Sequence, residues 1–266
     1  MKPLFTKTKV LITVMTYPHP SHKHQELVCT AGLTEAGDWV RLYPIDYRYR
    51  PNDQQFRKYQ WVEVGLAGRG SGNDNRRESR QPDLDSIRIL SEPIGTENGW
   101  AKRREIVDKL PHHTRLVLGA LYDKDKTSLG IVRPSEVLDL EIETGEREWK
   151  PEWQATLRQF NLFHGEPKEL KKLPFKFSYV FRCADTGDKP HRAMIEDWEL
   201  GVLFLKEVER LGSEEAAASS VKKKFFDEIC GSGKDTRFFM GTVFPYNTWV
   251  VIGTFWPPRI YQPSLL

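Results

Sequence analysis

Trp39, Arg41 and Tyr43 alternate along the segment Trp39-Val40-Arg41-Leu42-Tyr43. In a strand, side chains point alternately to the two faces, so these three share one face. Aromatic rings stack on unpaired bases, and guanidinium groups neutralise phosphates, which makes this face a candidate surface for a single nucleic-acid strand. Arg48, Arg50, Arg57 and Lys58 follow, interleaved with Tyr43, Tyr47, Tyr49 and Tyr59. Arg69, Arg76, Arg77 and Arg80 occupy the next, glycine-rich stretch. Lys23 lies upstream and completes the candidate nucleic-acid-binding set. The same composition also makes an ordinary solvated face with a disordered loop, and Arg76-Arg77-Glu78 is partly self-neutralised.

A second chemistry is available in the C-terminal half. Glu196-Asp197-Trp198-Glu199 opens a helical pattern shortly after His191. Carboxylates beside an imidazole can hold Mg²⁺ or exchange protons, so His191, Asp197 and Glu199, with Asp185 or Asp235, form the catalytic set of a metal-dependent nuclease. Acids in a first helical turn also simply complement the helix dipole, and Asp197 and Glu199, two apart, do not share a helical face. Asp139 with Glu148-Trp149-Lys150 has a nuclease-like pattern, but it falls on a linker-like segment. His19, His22 and His24 with Cys29, and Cys183, Asp185, Asp188 and His191, contain ligand types for zinc without an established spacing. Gly231-Ser232-Gly233-Lys234 lacks the flanking strand and helix of a phosphate loop and reads as a helix end. A third reading makes the C-terminal half a protein-binding face through Trp198, Phe204 and its terminal hairpin.

These residues need a scaffold, and the 266-residue chain is long enough to bury a core without staples. A net charge of +3 and a pI near 8.6 are too mild to announce nucleic-acid binding by themselves. The three widely separated cysteines, Cys29, Cys183 and Cys230, point to a reducing cytoplasm. Met1 to Val14 lacks a signal-peptide pattern, and no segment approaches a membrane span. Strand-like runs cover Val10 to Met15, Leu27 to Ala31, Trp39 to Tyr43 and Tyr59 to Leu66. Ala67 to Pro82 reads as a surface loop. Ser86 to Leu90, Leu129 to Val132 and Val137 to Ile142 read as short strands, and Gly99 to Leu110 as a helix. Phe175 to Phe181 alternates aromatics as a strand does. Ile195 to Leu211 carries an apolar helical stripe ending at Gly212, and Ser213 caps a second helix reaching Cys230. Phe238 to Thr242 and Thr248 to Phe255 form a hairpin.

The order Ser21-His22-Lys23, Cys29-Thr30-Ala31-Gly32, Trp39-Val40-Arg41 and Trp61-Val62-Glu63-Val64, within residues 10–64, resembles the dual OB-fold domains of bacterial conflict and defence proteins. The departure is Leu42-Tyr43, which stands between Arg41 and Pro44 where that family places proline straight after arginine. The resemblance implies a small barrel whose open face holds an oligonucleotide, in an antiviral defence setting. The expected protein is therefore α+β. Its first half, 1–142, is an OB-like barrel, 143–153 is a linker, and 154–266 is an α+β domain with two helices and a hairpin. The expected function is cytoplasmic binding of single-stranded DNA or RNA, with the Mg²⁺ nuclease and the interaction module as alternatives.

Overall fold

The computed structural model describes residues 4–21, 25–70, 74–161, 169–185, 189–243 and 246–260. Lys23, His22, His24, Asp188 and Pro245 lie outside the described residues.

The first half runs β1 (Phe5–Met15), β2 (His19–Ser21), β3 (Gln25–Leu27), β4 (Thr30–Thr34), β5 (Trp39–Leu42), β6 (Trp61–Ala67), β7 (Ser79–Arg80), β8 (Pro82–Ile89) and helix α1 (Glu97–Val107). The second half runs β9 (His112–His113), α2 (Arg115–Asp125), β10 (Leu129–Val132), β11 (Glu136–Thr144), α3 (Pro151–Asn161), β12 (Phe175–Arg182), β13 (His191–Met194), α4 (Trp198–Leu211), α5 (Glu214–Lys222), β14 (Arg237–Val243) and β15 (Thr248–Phe255). A six-stranded sheet has the order β7-β5-β4-β1-β6-β8, a four-stranded sheet β15-β14-β10-β9, and a three-stranded sheet β11-β12-β13. β2 and β3 pair by themselves.

The α+β class holds, and the expected closed barrel does not. The edges of the six-stranded sheet are β7 and β8, which Gln81 alone separates in the chain. β7 meets β5 through two residue pairs, Arg41–Ser79 and Leu42–Arg80. That seam is too short to carry the ladder round into a closed sheet. It also corrects the loop expected over 67–82, because Arg76, Glu78 and Ser79 are buried within it. The helix expected from Gly99 starts with Asn98, Gly99 and Trp100 in left-handed backbone, so regular helical turns begin only after Trp100.

β1 explains why the six-stranded sheet is covered on both faces. Val10 and Ile12 pack into an apolar cluster with Val40, Leu42, Val62 and Val64. A register shift between Ile12 and Val14 reverses the alternation. Val14 then joins Ala31 and Leu33 in a second cluster, whose other members include Phe239, Val250, Ile252 and Phe255 from the second half. A third cluster centres on Tyr179, Phe181, Phe204 and Phe238. α4 is capped by Asp197, whose side chain accepts from the Glu199 amide, and ends at Gly212 with φ 69°. Ser213 caps α5 in the same way through the Ala216 amide.

Candidate nucleic-acid interface

Trp39 and Arg41 lie on the face of β5 that looks toward the second half of the chain, and Tyr43 follows just beyond the strand. Trp39 meets Phe239 of β14 edge-on, with ring centroids 5.7 Å apart. Arg41 is only 1 % exposed. Its Nη1 donates to Cys29 Sγ at 2.9 Å, and its Nη2 donates to the carbonyl and hydroxyl oxygens of Ser128 at 3.1 and 3.2 Å. The Glu78 carboxylate accepts from the amide and hydroxyl of the same Ser128. Tyr43, at the end of the row, is the exposed member.

The row is divided between two cavities. The first, about 710 Å³, is lined by Trp39, Arg77, Arg80, His113 and the threonines Thr6, Thr8, Thr34 and Thr127. The second, about 550 Å³, is lined by Arg41, Tyr43, Arg76 and Cys29 together with His19, Glu196, Trp153, Val250 and Ile252. Both draw residues from the two halves of the chain. Ser128, bonded to Arg41 and Glu78 together, links the two linings.

The cations differ in how much of their charge is free. Arg76 is held against Asp74 by three bonds of 2.6 to 3.1 Å, and its Nη1 donates to the Thr242 carbonyl at 2.6 Å. Burial disfavours the Asp74 carboxylate, but the bonds and charge of Arg76 prevail and hold its pKa below the ordinary value. Arg77 pairs with Asp125, Arg48 with Glu26, and Arg50 with Asp46 and Asp85. Arg80 donates to the carbonyls of Arg77 and Ser79 at 2.9 Å. Among the described residues no carboxylate lies within 4 Å of Arg57, Arg69 or Arg80. Burial lowers the pKa of His113, so in the first cavity it acts as a neutral ring.

At the mouth of the second cavity His19 Nε2 lies 2.9 Å from Glu196 Oε2. Burial pulls the His19 pKa down, but the hydrogen bond and charge of Glu196 more than offset this and leave it above 6.5. A histidine whose folded pKa is raised contributes stability in full below its unfolded value, and loses it as pH rises through the folded value. The stability difference between the wild type and Glu196→Gln should therefore be largest below about pH 6.5 and shrink as the pH is raised. A His19 NMR titration midpoint unchanged by Glu196→Gln would contradict that linkage.

The catalytic candidates are not assembled as one group. Lys58 Nζ lies 2.6 Å from Asp197 Oδ1 and 3.2 Å from Glu199 Oε2, so these two carboxylates share one ammonium. His191 packs on Phe181 in β12, and burial, then the charge of Arg115, lowers its pKa. Asp185 accepts from Thr114, and Asp235 is held by Arg237, Arg133 and Arg104. Asp139 pairs with Lys222. Among the described residues no three His, Cys, Asp or Glu side chains are placed to hold a metal ion. No helix there is long and apolar enough to cross a membrane. Sequence reasoning gave no signal for Ser128, Trp153 or Thr242 as site residues. Each is far in the chain from β5 and is brought to it only by the packing of the two halves.

The architecture is an α+β protein in which two sheet systems meet across a pair of cavities. The chain belongs to the family described as Domain of unknown function (DUF8757), whose model matches residues 112–266, more than half its length. Residues 6–109 match a second model, Domain of unknown function (DUF8758). No curated protein matches. One similar solved structure is that of a murine DNA-binding protein bound with double-stranded DNA. It is 9 % identical, with a TM-score of 0.30, over 97 % of this chain and 98 % of that one. A likeness that loose carries no argument about this protein.

Proposed function

We propose that the protein binds a single strand of DNA or RNA along the 710 Å³ groove. The observation that carries this reading is that Trp39 lines one cavity with Arg77 and Arg80, which lie about forty residues further along the chain. Arg80, with no carboxylate among the described residues to neutralise it, supplies a cation for a phosphate, and Trp39 supplies a ring edge beside it. The four threonines and neutral His113 offer hydrogen bonds to sugar and base without a sequence code. Arg57 and Arg69, exposed elsewhere on the surface, add to a positive approach field.

Anisotropy of a labelled oligonucleotide, titrated across salt concentrations, tests the reading. Affinity should fall as salt rises, because bound phosphates release counterions. Arg80→Ala should weaken binding and reduce the log–log salt slope by about 0.7, the value expected for one phosphate contact on a single strand. Binding that ignores salt, or a slope unchanged in Arg80→Ala, would overturn the assignment.

A further inference from the structure

We propose that the 550 Å³ cavity binds a mononucleotide, independently of strand binding in the neighbouring groove. Its volume falls in the range of roughly 300–1,000 Å³ typical of small-ligand sites, and its walls sort by chemistry. One wall carries charge. Arg41 and Arg76 are 1 % and 4 % exposed, and Arg76 alone of the two has a carboxylate partner, Asp74. Among the described residues Arg41 has no carboxylate within 4 Å, and its Nε is sealed from solvent without an acceptor. An enclosed guanidinium that reaches a carboxylate, Glu78, only through Ser128 keeps a local positive potential, because little water is present to screen it. Thr242 Oγ1, in the same lining, is also sealed without a partner.

Another part of the lining is apolar. Leu27, Val250 and Ile252 present a surface that suits a flat base or sugar and not a free inorganic ion. Tyr43 belongs to the same lining. It is 38 % exposed, and burial pushes its phenol pKa up, so at neutral pH it is an intact O–H donor. Its hydroxyl is the group placed to reach a phosphate directly, with the two arginines supplying the field behind it. At the mouth, the Glu196 carboxylate can accept from the N–H groups on the edge of a base, while His19 holds it in place. An anionic end, a planar body and an N–H-bearing edge together describe a nucleotide.

Cys29 gives a reporter within the wild-type chain. Its sulfur lies 2.9 Å from Arg41 Nη1, in the cavity lining, whereas Cys183 is buried and Cys230 belongs to another core. The experiment is calorimetric titration of the full chain with each 5′-mononucleotide, the corresponding nucleoside and inorganic phosphate, alongside alkylation of the cysteines followed by mass spectrometry. At least one mononucleotide should bind saturably, about tenfold more tightly than its nucleoside, and should slow alkylation of Cys29 but not of Cys230. Tyr43→Phe, a change that keeps the ring, should weaken that binding by about threefold to tenfold. No saturable binding of any mononucleotide at about 1 mM would overturn the proposal. So would phosphate or nucleoside binding as tightly as the nucleotide, or alkylation of Cys29 unaffected by bound nucleotide.

Discussion

Lys58→Met should cost about 3–5 kcal/mol of folding stability, the range for removing one partner of a buried ion pair. Lys58 and Asp197 are 11 % and 0 % exposed at their side chains, and they meet at 2.6 Å. Asp197 also caps α4, and its Oδ2 is sealed with no hydrogen-bond partner. Without the ammonium, that carboxylate stands in a dry site with one amide bond to support it. Burial, then the neighbouring Glu199, raises the Asp197 pKa, while Lys58 acts against both. Burial also penalises the Lys58 ammonium, but Asp197 and Glu199 outweigh this and hold its pKa above 10.5. A lysine with a raised folded pKa contributes stability in full below its unfolded value and loses it as pH rises through the folded value, so the pair persists at neutral pH. Lys58→Met with Asp197→Asn should recover most of the loss, because asparagine still caps a helix and carries no charge to strand. Urea denaturation of the two variants measures both effects. A single variant within about 1 kcal/mol of the wild type would show that the pair is not a structural requirement.

Phe238→Ala should cost a similar 3–5 kcal/mol, by loss of buried surface and the cavity left behind. Phe238 is fully buried in β14. It stacks on Tyr179 with centroids 4.6 Å apart and meets Phe181 edge-on at 5.2 Å. Tyr179 is fixed in turn by donating its hydroxyl to the Phe225 carbonyl at 2.7 Å. This ring is therefore where the three-stranded sheet, the four-stranded sheet and the segment after α5 meet. The neighbours are held by other contacts and cannot collapse into the space. Phe238→Leu keeps much of the volume and should cost under about 1.5 kcal/mol. Equal denaturation midpoints for the alanine and leucine variants would mean that the site relaxes freely.

β14 also carries Thr242 and Phe239, which bound the second cavity and pack against Trp39. Loosening Phe238 should thus disturb both cavities as well as stability. The ring contacts between the halves make the two proposed sites dependent on one packed junction.

Local features of this protein were legible in the sequence. The alternating aromatics of β12, the Asp197 and Ser213 caps and the hairpin of β14 and β15 depend on neighbours within a few residues, so a linear pattern records them. The alternation of Trp39, Arg41 and Tyr43 was equally legible, since period two is a property of the strand itself. What covers that face was not, because Phe239 and Ser128 reach it from 200 and 87 residues away along the chain. Nor did composition tell a free arginine from a spent one. Arg76 and Arg80 look alike in a basic loop, yet one is enclosed by Asp74 and the other meets only carbonyls. Sequence by itself determined the longer strands, the caps and the residue types able to meet a nucleic acid. Tertiary structure decided that β5 faces the second half, that the expected barrel stays open, and that the basic residues divide between two cavities. Burial is set by long-range packing, and even a pairing as local as Arg76 with Asp74 depends on how that loop folds.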